Sequence, residues 1–283
     1  MAFSHSISRT ALLLGTLVAA QIAPSPAAEP TSIVLLNGRS IPMSSVVLQG
    51  ENFVVTAATE FFNEAQTIPC EQADHVFGVA PPALKQAVAL LLMNQPKDAQ
   101  KLLEPIVLQH RVTAKIPGNF WLDAARTLLV VHAVMGDAPK CTDLGKEISD
   151  ATPVQGNDPF VALGKTLLMP PTVKPEDRDT ALRVLISDPR MTTDVCAYAS
   201  FYRGNLFKQQ KSPEKALEAY LSVPCLFPTG GLVLMAAAEL QAAEILTSLV
   251  RREEAVALLR SALRDAAGTP LVEEVNKRLK SSQ

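Results

Sequence analysis

The chain has 283 residues, with 26 lysines and arginines set against 28 aspartates and glutamates for a net charge of −2. That balance lacks the basic excess that draws a protein to nucleic acid or anionic lipid. With 48% apolar but only 5% aromatic residues, alanine and leucine must carry the core, which favours helices.

Residues 1–28 read as a cleavable export signal. Arg9 and the free amine give a basic start, Ala11–Ala20 is an apolar run, and the small residues and prolines after it offer cleavage after Ala27 or Ala28. The run is too short to span a bilayer, and no later segment is long and apolar enough. No cysteine precedes Cys70, so a mature N-terminus has no site for lipid attachment. The expected location is the periplasm or the outside of a bacterial cell.

Residues 29–80 form an expected small β module. Strands are predicted over 32–36, 45–49, 52–56, 66–70 and 74–77, with tight turns at Asn37-Gly38 and Gly50-Glu51. A unit of about fifty residues is marginal alone, so it is expected to dock on the helices behind it.

Residues 81–283 change to the helical period. Helices are predicted over 82–94, from 96 onward with a kink at Pro105, over 119–135 with Gly136 as cap, and over 137–149. They continue over 158–169, 175–186, 194–210, 212–223, 231–249 and 252–266, and end in a polar capping helix from Pro270. The helices form five pairs. One small residue recurs in each second helix: Ala99, Cys141, Ala181, Ala216 and Ala255. Such spacing is the signature of stacked helical hairpins, each with an apolar face that only a neighbour can cover.

Gly204, Phe207, Ala216, Tyr220, Val223 and Pro228 resemble one tetratricopeptide repeat, and Ala243, Leu246, Ala255, Leu259 and Ala262 a second. Over 82–190 the pattern departs from the family, with His132 and Gly145 where larger apolar residues are usual. The resemblance implies a right-handed stack of helix pairs whose first helices line a concave groove, and a scaffold that binds proteins. The expected fold is therefore mainly α: a tetratricopeptide-like α-solenoid of about five hairpins, preceded by a small β-hairpin or barrel module.

Signals for chemistry are weak. Gly164-Lys165-Thr166 ends like a phosphate-binding loop, but the place of its earlier glycine holds Pro159 and the triplet falls in a helix. His75, His110 and His132 are dispersed, and no nucleophile elbow or metal-ligand spacing occurs. Glu253-Glu254 and Glu273-Glu274 sit in first turns, where they offset the helix dipole. Trp121, after the N-cap Asn119, reads as a core plug. No cofactor is expected, and the chain reads as non-catalytic.

Candidate partner-binding residues come from the helical phase of 194–210, which puts Tyr198, Phe201, Asn205 and Lys208 on one stripe; Arg126 is a further candidate. Packing against the next repeat is the competing reading of the same stripe. In an oxidising compartment Cys196 and Cys225, at one end of a hairpin, are the candidate disulfide, with two free thiols as the alternative. The leading function is an exported scaffold that docks a protein or peptide or self-associates. The alternatives are an envelope component whose β module binds cell-wall polymer or membrane-associated machinery, and an envelope hydrolase.

Overall fold

A computed structural model of the chain describes residues 31–152 and 158–282. The export signal expected over 1–28 lies outside the described residues.

The first unit holds six short strands: β1 (Ser32–Leu35), β2 (Ser40–Pro42), β3 (Val46–Gln49), β4 (Asn52–Val55), β5 (Thr67–Pro69) and β6 (Ala73–Phe77). They form two antiparallel three-stranded sheets, ordered β2-β1-β6 and β3-β4-β5. Gly50, at φ +60°, makes the two-residue turn that the sequence predicts between β3 and β4.

The two sheets are near copies of each other. β1 pairs with β2 through Ser32↔Pro42, Ile33↔Ile41 and Val34↔Ser40. β4 pairs with β5 in the same register through Asn52↔Pro69, Phe53↔Ile68 and Val54↔Thr67. In each half an Ile-Pro step leads into a 3-10 turn, Met43–Ser45 or Cys70–Gln72, and the following strand crosses to the other sheet. The links match too: Met43 N donates to Thr31 O and Cys70 N to Glu51 O, while Leu36 N donates to Gln72 O and Thr56 N to Ser45 O. The module is thus an approximate two-fold duplication with exchanged third strands. Its core gathers Ile33, Ile41, Phe53 and Ile68 from both halves.

Eleven helices follow among the described residues: α1 (Pro82–Leu92), α2 (Pro96–His110), α3 (Phe120–Met135), α4 (Ala138–Ala151), α5 (Pro159–Leu167), α6 (Pro175–Ser187), α7 (Thr193–Gln209), α8 (Pro213–Leu226), α9 (Leu232–Ser248), α10 (Arg252–Asp265) and α11 (Leu271–Ser282). Their ends follow local chemistry. Asn119 accepts from Leu122 N, Asp137 from Lys140 N and Asp158 from Phe160 N, satisfying amides that a helix start leaves orphaned. Gly136 closes α3 in the left-handed region at φ +74°. Pro105 sits inside α2, which continues through it.

Consecutive helices pack as pairs, giving the mainly α solenoid of hairpins with a small β unit at its start. Ala99, Cys141, Ala216 and Ala255 are buried at the crossings, and Ala181 is half-buried. Gly204 shows why small residues recur, since a Cβ there would lie 2.5 Å from the Tyr220 ring. The stack also closes on itself. α1 lies against α9, and Lys85 Nζ donates to Ala267 O at 2.6 Å. The first helices α1, α3, α5, α7 and α9 therefore form an inner ring rather than an open trough.

The β module docks on the connection between α2 and α3. Ile116 enters the module's core, with Val112 packed against it, and Val76 N donates to Pro117 O at 2.9 Å. Burying one isoleucine side chain is worth roughly 1.5–3 kcal/mol, so this segment helps to hold a unit too small to be robust alone.

Candidate functional site

The candidate site is a cleft of about 660 Å³ at one mouth of the inner ring. It is bordered by the first turns of all five first helices, represented by Lys85, Asp123, Phe160, Asp194 and Val233. Five helix starts therefore converge, each carrying partial positive charge from unpaired amides. Acidic side chains answer that charge: Asp123 in the first turn of α3, Asp194 in the first turn of α7, and Asp158 capping α5.

Arg126 forms the most ordered feature. Its Nη2 and Nε donate to Asp158 Oδ2 at 2.6 and 3.1 Å, and its guanidinium stacks 5.4 Å from the Phe160 ring centroid. The Asp158 side chain is only 2% exposed, so the pair is tightly held. Phe160 in turn meets Tyr198 edge-on at 5.8 Å. Burial raises the Asp123 carboxyl above its ordinary range; Arg126 pulls it down, and Asp194 pushes it up. Two carboxylates facing one cleft favour a cationic group arriving from outside.

The five sequence candidates do not form one surface. Arg126 and Tyr198 both border the mouth cleft, but Arg126 is committed to Asp158 and Tyr198 is buried, its phenol pushed well above the ordinary range by desolvation. Phe201 is 1% exposed and packs edge-on to Tyr220 at 5.6 Å. Asn205 accepts from the Tyr220 hydroxyl at 2.6 Å. Lys208 reaches α9, where it pairs with Glu244 at 3.0 Å and donates to Gln241 at 2.8 Å. The expected groove stripe is therefore largely a packing stripe. The reason is that α7 has neighbours on several sides, and every residue from Val195 to Phe201 is buried.

The candidate disulfide is likewise corrected, because all four cysteines are free. Cys196 is buried with its thiol toward Ile186 O at 3.9 Å, whereas Cys225 is exposed on α8. Although both sit at one end of the hairpin, their side chains face different surroundings. Burial raises the thiols of Cys70, Cys141 and Cys196, which disfavours thiolate nucleophiles. His110 and His132 are buried, with the imidazole lowered in each by desolvation. Among the described residues no group of three or more His, Cys, Asp or Glu side chains is placed to hold a metal ion, and no helix is long and apolar enough to cross a membrane.

Sequence reasoning missed Asp158 as the partner of Arg126, and it missed the meeting of Asp123 with Asp194. Asp158 was visible only as a helix start.

No protein-family model matches the chain, and no curated protein does. Among solved structures, a thermophilic TPR protein of Thermus thermophilus is similar over 71% of this chain and 96% of its own length, at 19% identity and a TM-score of 0.37. The pairing of α1 to α11 itself carries the description of the fold as a stack of helical hairpins.

Proposed function

We propose that the protein is an exported, non-catalytic scaffold of the bacterial envelope that docks a partner protein at the mouth of its inner helical ring. The observation that carries this reading is the cleft of about 660 Å³, where five helix starts, the Arg126–Asp158 pair and two further carboxyl groups, Asp123 and Asp194, converge. Shape and fixed charge of this kind suit recognition of a protein segment bearing a lysine or arginine. The described residues that line the cleft include no serine, cysteine or histidine, the types that form the activated nucleophile and base of acyl transfer. Export rests on the signal-like segment 1–28, with cleavage near Ala27 or Ala28.

The test places a photo-crosslinking amino acid at Asp123, at Thr229, or at the exposed Val184 on α6, in intact cells. Partner crosslinks at the first two positions and not at Val184 support the reading. Crosslinks at Val184 alone, or a mature protein that keeps residues 1–28 and stays in the cytoplasm, refute it.

A further inference from the structure

The two-fold character of the β module exposes a difference between its halves. Within the β3–β4 hairpin, Gln49↔Asn52 closes the two-residue turn, so hydrogen-bonded pairs alternate from there and Leu48↔Phe53 is a non-bonded pair. The next pair of that kind, Val46↔Val55, agrees: Val55 sends its N–H to Gln66 O and accepts from Ala65 N on the β5 side. Leu48 N–H consequently points away from β4, and among the described residues it finds no partner.

The equivalent residue in the other half is Val76, since Ile33↔Val76 matches Phe53↔Leu48. There the outward amide is used. Val76 N donates to Pro117 O at 2.9 Å, and Val76 is 7% exposed. Leu48, at the matching position, is 46% exposed, with Val47 beside it at 43%. One half thus shows what covers this strand edge: a 3-10 turn and the loop after it, residues 111–118, which give a carbonyl to the strand and an isoleucine, Ile116, to the core.

Next to this edge, beside the 3-10 turn Arg111–Thr113 that touches β3, lies a cleft of about 530 Å³. Leu48, Phe53, Ile116 and Trp121 give it an apolar lining, and Glu51, Glu71, Asp150 and Lys115 stand at its rim together with Arg111. Arg111 is taken by Glu147 at 2.8 Å, which leaves three acids against one base. The indole N–H of Trp121, a residue 1% exposed, has no acceptor among the described residues.

We infer that the β3 edge and this cleft form a second docking site, for an extended segment of a partner protein that carries an apolar side chain flanked by basic residues. The segment adds as a strand to β3, accepting from Leu48 N–H. Its apolar side chain lies on the exposed Leu48 at the mouth of the cleft, and its basic groups face the acidic rim.

The segment 111–118, sequence RVTAKIPG, fills the equivalent edge and itself carries two basic residues and an isoleucine. A synthetic peptide of that sequence is therefore the probe. Trp121 is the only tryptophan, so its emission reports the cleft directly, and amide NMR reports Leu48. The expected result is saturable binding that shifts both signals. Replacing the peptide's two basic residues by glutamate, or its isoleucine by aspartate, weakens binding at least about tenfold, or ~1.4 kcal/mol. Leu48→Asp in the full chain does the same while the helical circular dichroism is unchanged.

Several results overturn the inference: no saturable change up to about 1 mM peptide, equal binding of the charge-reversed peptide, or perturbation of the Val76 amide instead of Leu48. A concentration-dependent dimer that buries Trp121 would assign the edge to a second copy and also overturn it. Crosslinking at the inner ring is independent of this site, so the two readings fail separately.

Discussion

Two buried glycines should respond in opposite ways to the same added methyl group. In α7, a Cβ on Gly204 would stand 2.5 Å from Cδ1 and Cε1 of Tyr220 and 2.8 Å from Cζ. The ring has nowhere to go: it is 0% exposed, Phe201 abuts it edge-on, and its hydroxyl is tied to Asn205. Overpacking of this kind costs about 3 kcal/mol at the upper end, against about 1 kcal/mol that alanine gains over glycine inside a helix. Gly204→Ala should therefore lose about 2 kcal/mol, lowering Tm by roughly 4–8 °C for a chain of this size. In α4, a Cβ on Gly145 would meet Leu129 at 3.4 Å and Val161 at 3.5 Å, ordinary contact distances. Gly145→Ala should keep most of the propensity gain and raise stability by about 0.5–1 kcal/mol. Urea unfolding followed by circular dichroism measures both. If Gly204→Ala is neutral, or Gly145→Ala costs more than Gly204→Ala, the close approach of α7 and α8 is not what fixes this hairpin.

The other perturbations probe the candidate site and the buried titrating groups. Phe201→Ala should cost about 3–5 kcal/mol in urea unfolding, as a core truncation does; a cost below about 1 kcal/mol would return Phe201 to the surface. Arg126→Ala leaves the Asp158 carboxylate buried without its partner and should cost about 3–5 kcal/mol, most of it recovered by pairing the change with Asp158→Asn. Equal loss in the single and double variants would refute the pairing. Burial holds the His132 imidazole below its ordinary 6.5, against the opposing pull of Asp137 and Glu104. The unfolded chain therefore binds the proton first, and stability should fall as pH drops below that value; His132→Leu should flatten this acid limb in pH-dependent melts. Glu239 runs the other way, because burial raises its carboxyl above 4.5 despite a hydrogen bond from Ser261. Its contribution is full below that value and lost as pH rises through the folded one, so Glu239→Gln should stabilise the protein more at pH 8 than at pH 4. A pH-independent gain would contradict this.

The helices were legible because their signals are local. Asn119, Asp137 and Asp158 cap as their types predict, Gly136 ends α3 with positive φ, and the small residues mark the crossings. β2 was missed because Ser40, Ile41 and Pro42 make a strand of three residues that ends in a residue without an amide proton. The duplication was hidden by unequal connections, Leu36–Arg39 in one half against Thr56–Gln66 in the other, and by the extra Asp74 where the β1–β6 register shifts. The site was read poorly for a different reason. Residue spacing gives the face of a helix, but whether that face meets solvent depends on helices far away in the chain. Tyr198 and Phe201 share a stripe as predicted, and neighbouring helices enclose α7 at both, while Asn205 is half-buried and Lys208 exposed. The contact of α1 with α9 joins distant parts of the chain, and no local pattern announces it.

That closing contact changes how the stack should come apart. In an open array the terminal coils fray first, and exchange of amide protons fades gradually from the middle outward. Here the leading coil is clamped by a late one, so protection in α1 should match that in the central coils. A chain recut to begin at the turn before α6 and sewn through its old ends would keep the same circular neighbours.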